Sequence, residues 1–227
     1  MKLISEKGWS IVPKDDSFLY HEISDRGEEI GYFSYSFDNI CEIDKDTYSK
    51  WKFGLGYKNI LKFFNNHPAL PSYVTLEDGS IIATEFKGSY IHKFDKNGNL
   101  LWINDSMCKH DSIYSIAFYK NFLWCVYPVS NMIKKFSLNS FGEEISIGER
   151  TNGIFNYPES AIVYDHKLYI CDMGNYRICT VDLATNQVKE YLKFTEPTWE
   201  YFKINGKEIV RLQGCVNNFV YSLSFGK

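Results

Sequence analysis

The chain has 227 residues, 44% of them hydrophobic and 17% aromatic, with 17 Tyr and 17 Phe and a net charge of −3. This size suits one large domain or two small ones, and so many aromatics favour strands over helices. The near-neutral balance, with no basic run, argues against a dedicated electrostatic grip on nucleic-acid phosphates; no window approaches the roughly 18 apolar residues of a membrane span.

At the N-terminus Ser5, Glu6 and Lys7 interrupt any apolar run, so no secretory leader is expected. A short strand over 8–12 (GWSIV) follows, set apart from the pattern behind it. Next come apolar runs at 18–23, 29–34, 40–44 and 48–53, each short and separated by turn residues. The segment YKNILKFFNN (57–66) has Ile60, Leu61, Phe63 and Phe64 partly on one helical face and predicts a helix within an inter-blade insert over 55–70. Four-run groups then recur: 72–76, 80–85, 91–95 and 100–103; 113–118, 122–127, 133–137 and 144–148; 160–164, 168–172, 178–182 and 188–194. A last group has three runs, 199–203, 208–213 and 219–223. Asp78-Gly79, Asn97-Gly98 and Asn205-Gly206 supply the positive φ that tight hairpin turns need.

The recurring core is ICTVD at 178–182, with similar runs ICEID at 40–44, IHKFD at 91–95 and IKKFS at 133–137, and a weaker match FVYSL at 219–223. Their first residues are spaced by 51, 42, 45 and 41 residues, close to the length of one propeller blade. The reading is all-β: a single β-propeller domain over 1–227 with about five four-stranded antiparallel blades. Six blades is the alternative, with a degenerate blade hidden near the N-terminus or after Gly54. The last group lacks a fourth strand while 8–12 is spare, so the N-terminal strand is expected to complete the last blade and close the ring, removing exposed edges.

In the fourth group, Pro158, Asp172, Asn175, Arg177 and Ile178 stand in the order FNYP, LYICD, GNYRI. This pattern resembles the NHL repeat, in which a proline opens the inner strand, an Asp closes the second and Asn-x-Arg-Ile opens the third. The match covers one blade well, about 153–194, and the others in part: Glu85, Tyr127, Gln213 and Ser34 replace the Asp. The resemblance implies a propeller; such folds include protein- and RNA-binding modules, and related six-bladed enzymes include lactonases and strictosidine-synthase-like proteins. A fold shared this widely does not imply one activity.

Loops between second and third strands, and between blades, are expected to gather on one face around the axis. The candidate ligand-binding residues there are Glu85, Tyr127, Asp172, Asn175 and Gln213. For Asp172 with Arg177, bracing a tight turn competes with holding a cation or serving as a base. His67, Glu85, His110 and Asp172 are the candidates for a metal, Ca or Zn, although no H-x-H or H-E-x-x-H spacing occurs. G-x-S-x-G and a P-loop are absent too, so no catalytic residue is assigned. Six scattered cysteines without C-x-x-C suit a reduced, cytoplasmic protein. The expected function is non-catalytic recognition: a rigid loop face presented to a protein, peptide or carbohydrate, without a cofactor, nucleic acid or membrane. The alternative is a small metal-assisted hydrolase or lyase with its site on the axis.

Overall fold

The computed structural model describes all residues except 15, 25, 37–38, 67–71, 86–89, 109–110, 152, 205, 215–216 and 224–227. After β1 (Lys2–Ser5), the first blade is β2 (Gly8–Lys14), β3 (Ser17–Ile23), β4 (Glu29–Ser36) and β5 (Asn39–Ile43). Two short helices follow, α1 (Lys45–Phe53) and α2 (Tyr57–Leu61), with 3₁₀ turns at Gly54–Gly56 and Lys62–Phe64. Blade 2 is β6 (Ser72–Thr75), β7 (Ile81–Thr84), β8 (Ile91–Phe94) and β9 (Leu100–Asn104). Blade 3 is β10 (Ser115–Tyr119), β11 (Phe122–Tyr127), β12 (Met132–Ser137) and β13 (Glu143–Gly148). Blade 4 is β14 (Pro158–Tyr164), β15 (Lys167–Asp172), β16 (Arg177–Asp182) and β17 (Val188–Lys193). Blade 5 is β18 (Thr198–Ile204), β19 (Lys207–Gln213) and β20 (Asn218–Leu223), completed by β1. The chain is a five-bladed β-propeller, and the N-terminal strand closes it.

The closing strand is not the one expected. β1 pairs antiparallel with β20, with Leu3 opposite Tyr221, whereas Gly8–Lys14 is the innermost strand of blade 1. Each strand read in the first blade therefore moves one place outward, and 48–53 is helix rather than strand. The helix has a local cause. The Asp44 side chain caps it by accepting from the Thr47 amide at 2.7 Å, Asp46 sits in its first turn, and Lys50 and Lys52 in its last. Gly54 follows at φ 66°. The 51-residue spacing thus compared an outer strand of blade 1 with a third strand of blade 2 across an insert. Within 57–66, the α-helix stops at Leu61, and Asn65 takes a left-handed conformation.

Apolar residues fill the seams between blades. Ile82 and Ile91 meet Ile116, Leu123 and Cys125 between blades 2 and 3, and Trp124 and Ile133 meet Leu168 and Ile170 between 3 and 4. Cys171 and Ile178 meet Tyr201 and Val210 between 4 and 5; Ile4 and Val220 meet Phe18 and Tyr20 between 5 and 1. The seam between blades 1 and 2 is completed by the insert. Tyr48 packs with Val12 and Leu19 of blade 1, and Phe53, Ile60 and Phe64 pack with Ile81, Ala83 and Phe94 of blade 2.

The inner strands are also stitched to one another across the axis wall. Ser72 Oγ accepts from the Ile116 amide at 3.0 Å and Ser115 Oγ from the Ala161 amide at 3.1 Å. Glu200 Oε2 accepts from the Ile11 amide at 3.3 Å. Among the described residues no helix is long and apolar enough to cross a membrane.

Candidate functional site

Asp172 is fully buried and accepts three hydrogen bonds: from the Asn156 amide at 2.7 Å, Asn175 Nδ2 at 2.8 Å and Arg177 Nε at 2.8 Å. Arg177 also donates to the Ile154 carbonyl at 2.7 Å. Asp172, Asn175 and Arg177 therefore tie the β15–β16 turn to the loop entering blade 4. Tyr127 is buried with its hydroxyl donating to the Met107 carbonyl at 2.6 Å. Gln213 Oε1 accepts from Trp199 Nε1 at 2.7 Å, and Glu85 is half-buried just after β7. Of the five loop candidates, Asp172 and Asn175 touch each other, and none of the five lines the cavity on the propeller axis. His67 and His110 lie outside the described residues. Among the described residues, no three His, Cys, Asp or Glu side chains gather as a metal ion would need.

A concave feature lies on the propeller axis: a cavity of about 410 Å³, partly open to solvent, walled by the inner strands β2, β6, β10, β14 and β18. Its volume falls in the range of small-molecule sites. Bulges shape it. In β18 the register passes from Thr198 opposite Leu212 to Glu200 opposite Arg211, leaving Trp199 extra; in β14 it passes from Pro158 opposite Asp172 to Ser160 opposite Cys171, leaving Glu159 extra. In β2 the shift falls between Trp9 and Val12, with Ser10 at φ 48°. Bulges re-aim side chains, and a non-glycine residue held in the left-handed region marks a position that its surroundings determine.

On one wall, Trp9 and Trp199 approach at 5.5 Å between ring centroids, with the Arg211 guanidinium 4.7 and 4.8 Å from them. Arg211 is 3% exposed; it donates to Glu200 Oε2 at 2.7 Å and to Asn218 Oδ1 at 3.2 Å. This buried charge is balanced by Glu200 and lies against both indoles, which helps to hold them in place.

On another part of the wall stands Lys52, 3% exposed, supplied by α1 rather than by a blade. Its Nζ donates to Ser10 Oγ at 3.3 Å and lies 5.2 Å from the Tyr73 ring centroid and 5.5 Å from that of Phe53. Tyr48, one turn earlier on the same helix face, donates to the Ser10 carbonyl at 2.7 Å. Burial pulls the Lys52 amine down to about 7, opposed by the field of Glu200. Elsewhere on the wall are the buried Glu159 and the half-buried Tyr114, whose hydroxyl lies 3.2 Å from that of Tyr157. Burial first, then the Tyr157 hydroxyl and nearby acids, raise the Tyr114 phenol. Burial pushes the Cys171 thiol behind Ser160 up to about 12, so it is an inert core group.

Sequence reasoning passed over Trp9, Ser10, Lys52, Trp199, Glu200 and Arg211. Only α1 left a usable signal, the Asp44–Thr47 cap ahead of Tyr48 and Lys52 at helical spacing.

No protein-family model matches the chain, and no curated protein matches it significantly. Solved structures do. A streptogramin B lyase superposes with a TM-score of 0.53 at 14% identity, covering 99% of this chain and 71% of its own. Virginiamycin B lyase from Staphylococcus aureus gives 0.51 at 12%, covering 100% and 73%. A chain of a nidogen/laminin complex gives 0.55 at 14%, covering 81% and 77%. At such identities the likeness is one of fold. What is common to this chain and these neighbours is the β-propeller itself.

Proposed function

We propose that the protein is a non-catalytic recognition propeller that takes a short carbohydrate segment at the axial mouth, within the rigid face formed by its loops. The observation that carries this reading is the cavity wall: two indoles against Arg211, beside carboxylates and a band of serine hydroxyls. Sugar rings present apolar C–H faces to aromatics and hydroxyls to carboxylates, and a site with both suits them. The NHL-like pattern of blade 4 accords with recognition, and its Asp172 acts as a brace. Cys41, Cys171 and Cys179 form no disulfide, which suits a reducing, cytoplasmic setting.

The test is a panel of oligosaccharides and peptides screened by thermal shift, with hits titrated against Trp199→Ala and Tyr176→Ala. Tyr176 is an exposed loop residue away from the cavity wall. A sugar hit should bind about tenfold or more weakly to the Trp199 variant, the weight of one aromatic anchor, and equally well to the Tyr176 variant. No sugar hit, or binding indifferent to Trp199, overturns the reading; a peptide hit lost with Trp199 would replace the ligand class.

A further inference from the structure

We propose that Lys52 makes the axial cavity a covalent, reversible capture site for small aldehydes and ketones, through an imine on its Nζ. This goes beyond carbohydrate recognition and does not depend on it.

Three features carry the proposal. The first is position: Lys52 lines a cavity large enough for a small carbonyl compound, yet is itself 3% exposed. The second is how it is held. The amine comes from an insert helix, with Tyr48 on the same face fixing Ser10 through bonds to its carbonyl at 2.7 Å and its hydroxyl at 3.2 Å. Ser10, kept in a left-handed conformation, presents its Oγ to Nζ. The third is solvation. Phe53 and Tyr73 flank the amine and leave little room for the water shell that an ammonium needs. Their rings return part of that loss as cation–π attraction, which is smaller than the cost of dehydration.

Among the described residues, the titratable groups around Nζ include Tyr48 on its own helix, Tyr73 on β6, Glu200 on β18 and, bonded to Glu200, Arg211 on β19. Both phenols are raised by burial and stay neutral. Glu200 favours the ammonium, and the Arg211 contact shares its charge. An amine near 7 is half neutral at neutral pH, whereas an exposed lysine is neutral only about once in 2,500.

The step is balanced without redox. The neutral amine donates its lone pair to the carbonyl carbon, a C–N bond forms, and the carbonyl π pair moves to oxygen, which takes up a proton. The carbinolamine then loses that hydroxyl, with a proton from nitrogen, as one water, leaving C=N. Ser10 Oγ is placed to relay a proton at nitrogen.

The experiment uses the full-length protein and pentane-2,4-dione, whose imine tautomerises to an enaminone that absorbs in the near ultraviolet and needs no reductant. Adducts are mapped by peptide mass spectrometry from pH 5.5 to 10. The expected result is one adduct, on Lys52, forming at least about tenfold faster at pH 7.5 than on any other lysine. Its rate should be half-maximal near pH 7, and the absorbance should vanish in Lys52→Arg with wild-type melting. Labelling spread over surface lysines without preference for Lys52, or a Lys52 rate still climbing through pH 10, overturns the proposal. Because adducts are mapped on the wild-type protein, these outcomes remain decisive even if the variant unfolds. Sugar binding lost at Trp199 bears only on the recognition reading, so the two can fail separately.

Discussion

Replacing Asp172 by Ala should unsettle the fold rather than empty a ligand site. The carboxylate is wholly buried and accepts from the Asn156 amide, Asn175 and Arg177, all within 2.8 Å. Removing one partner of a buried charge pair costs about 3–5 kcal/mol. The Arg177 side chain is 21% exposed and keeps a contact to Glu190 at 3.4 Å, so the lower end applies, about 3 kcal/mol. At about 2–4 °C per kcal/mol for a chain of this size, the melting temperature should fall by roughly 6–12 °C. Differential scanning calorimetry reads the shift directly, and urea titration checks that the midpoint moves at constant slope. Asp172→Asn, which keeps one acceptor oxygen, should lose about half as much. A loss under about 1 kcal/mol would refute the bracing role; so would an unchanged melt with abolished ligand binding.

Two further outcomes concern the insert. A Cβ on Gly56 would collide with the backbone of Asn97 and Gly98, where the insert rests on the β8–β9 turn. Gly56→Ala should therefore cost about 1–3 kcal/mol by overpacking, seen in a urea melt; a neutral result would mean the insert docks differently. Lys52→Met should be more stable than wild type at pH 6, with the gap closing toward pH 10. The amine sits near 7 in the fold and about 10.4 when unfolded. The unfolded chain therefore holds the extra proton between those values, and wild-type stability rises with pH across that window. A pH-independent difference between the two proteins would contradict it.

Much of the propeller was legible because blades 2 to 5 announce themselves twice, by short apolar runs and by turns such as Asp78-Gly79 and Asn97-Gly98, where both glycines have φ 78°. Blade 1 slipped one strand because TYSKWKF is a short aromatic-rich run, alternating at Trp51 and Phe53, that falls where a fourth strand is due. Its Asp44 cap was the contrary signal, and short-range periodicity outweighed it. The bracing role of Asp172 was legible in its blade motif, since its partners lie within a few residues or one loop away. The axial site was not. Trp9 and Trp199 belong to opposite ends of the sequence and meet only because the ring closes. Bulges at Trp199 and Glu159 break the inner-strand alternation that would mark which side chains face the axis. Lys52 enters from a helix, which no blade pattern foresees.

Closure by β1 has a bearing on how the protein is made. The strand leaves the ribosome ahead of every blade, yet its hydrogen-bond partner β20 spans Asn218–Leu223. At about 5–20 residues per second, β1 waits roughly 10–40 s for that partner. During this interval the nascent chain can stack blades 1 to 4, but an unmated strand hangs beside them. Two chains at this stage on one polysome could each lend β1 to the other's last blade, giving an exchanged dimer with the same contacts as the monomer. Polysome crowding, rather than any change of sequence, would then set how much of the protein emerges as single rings.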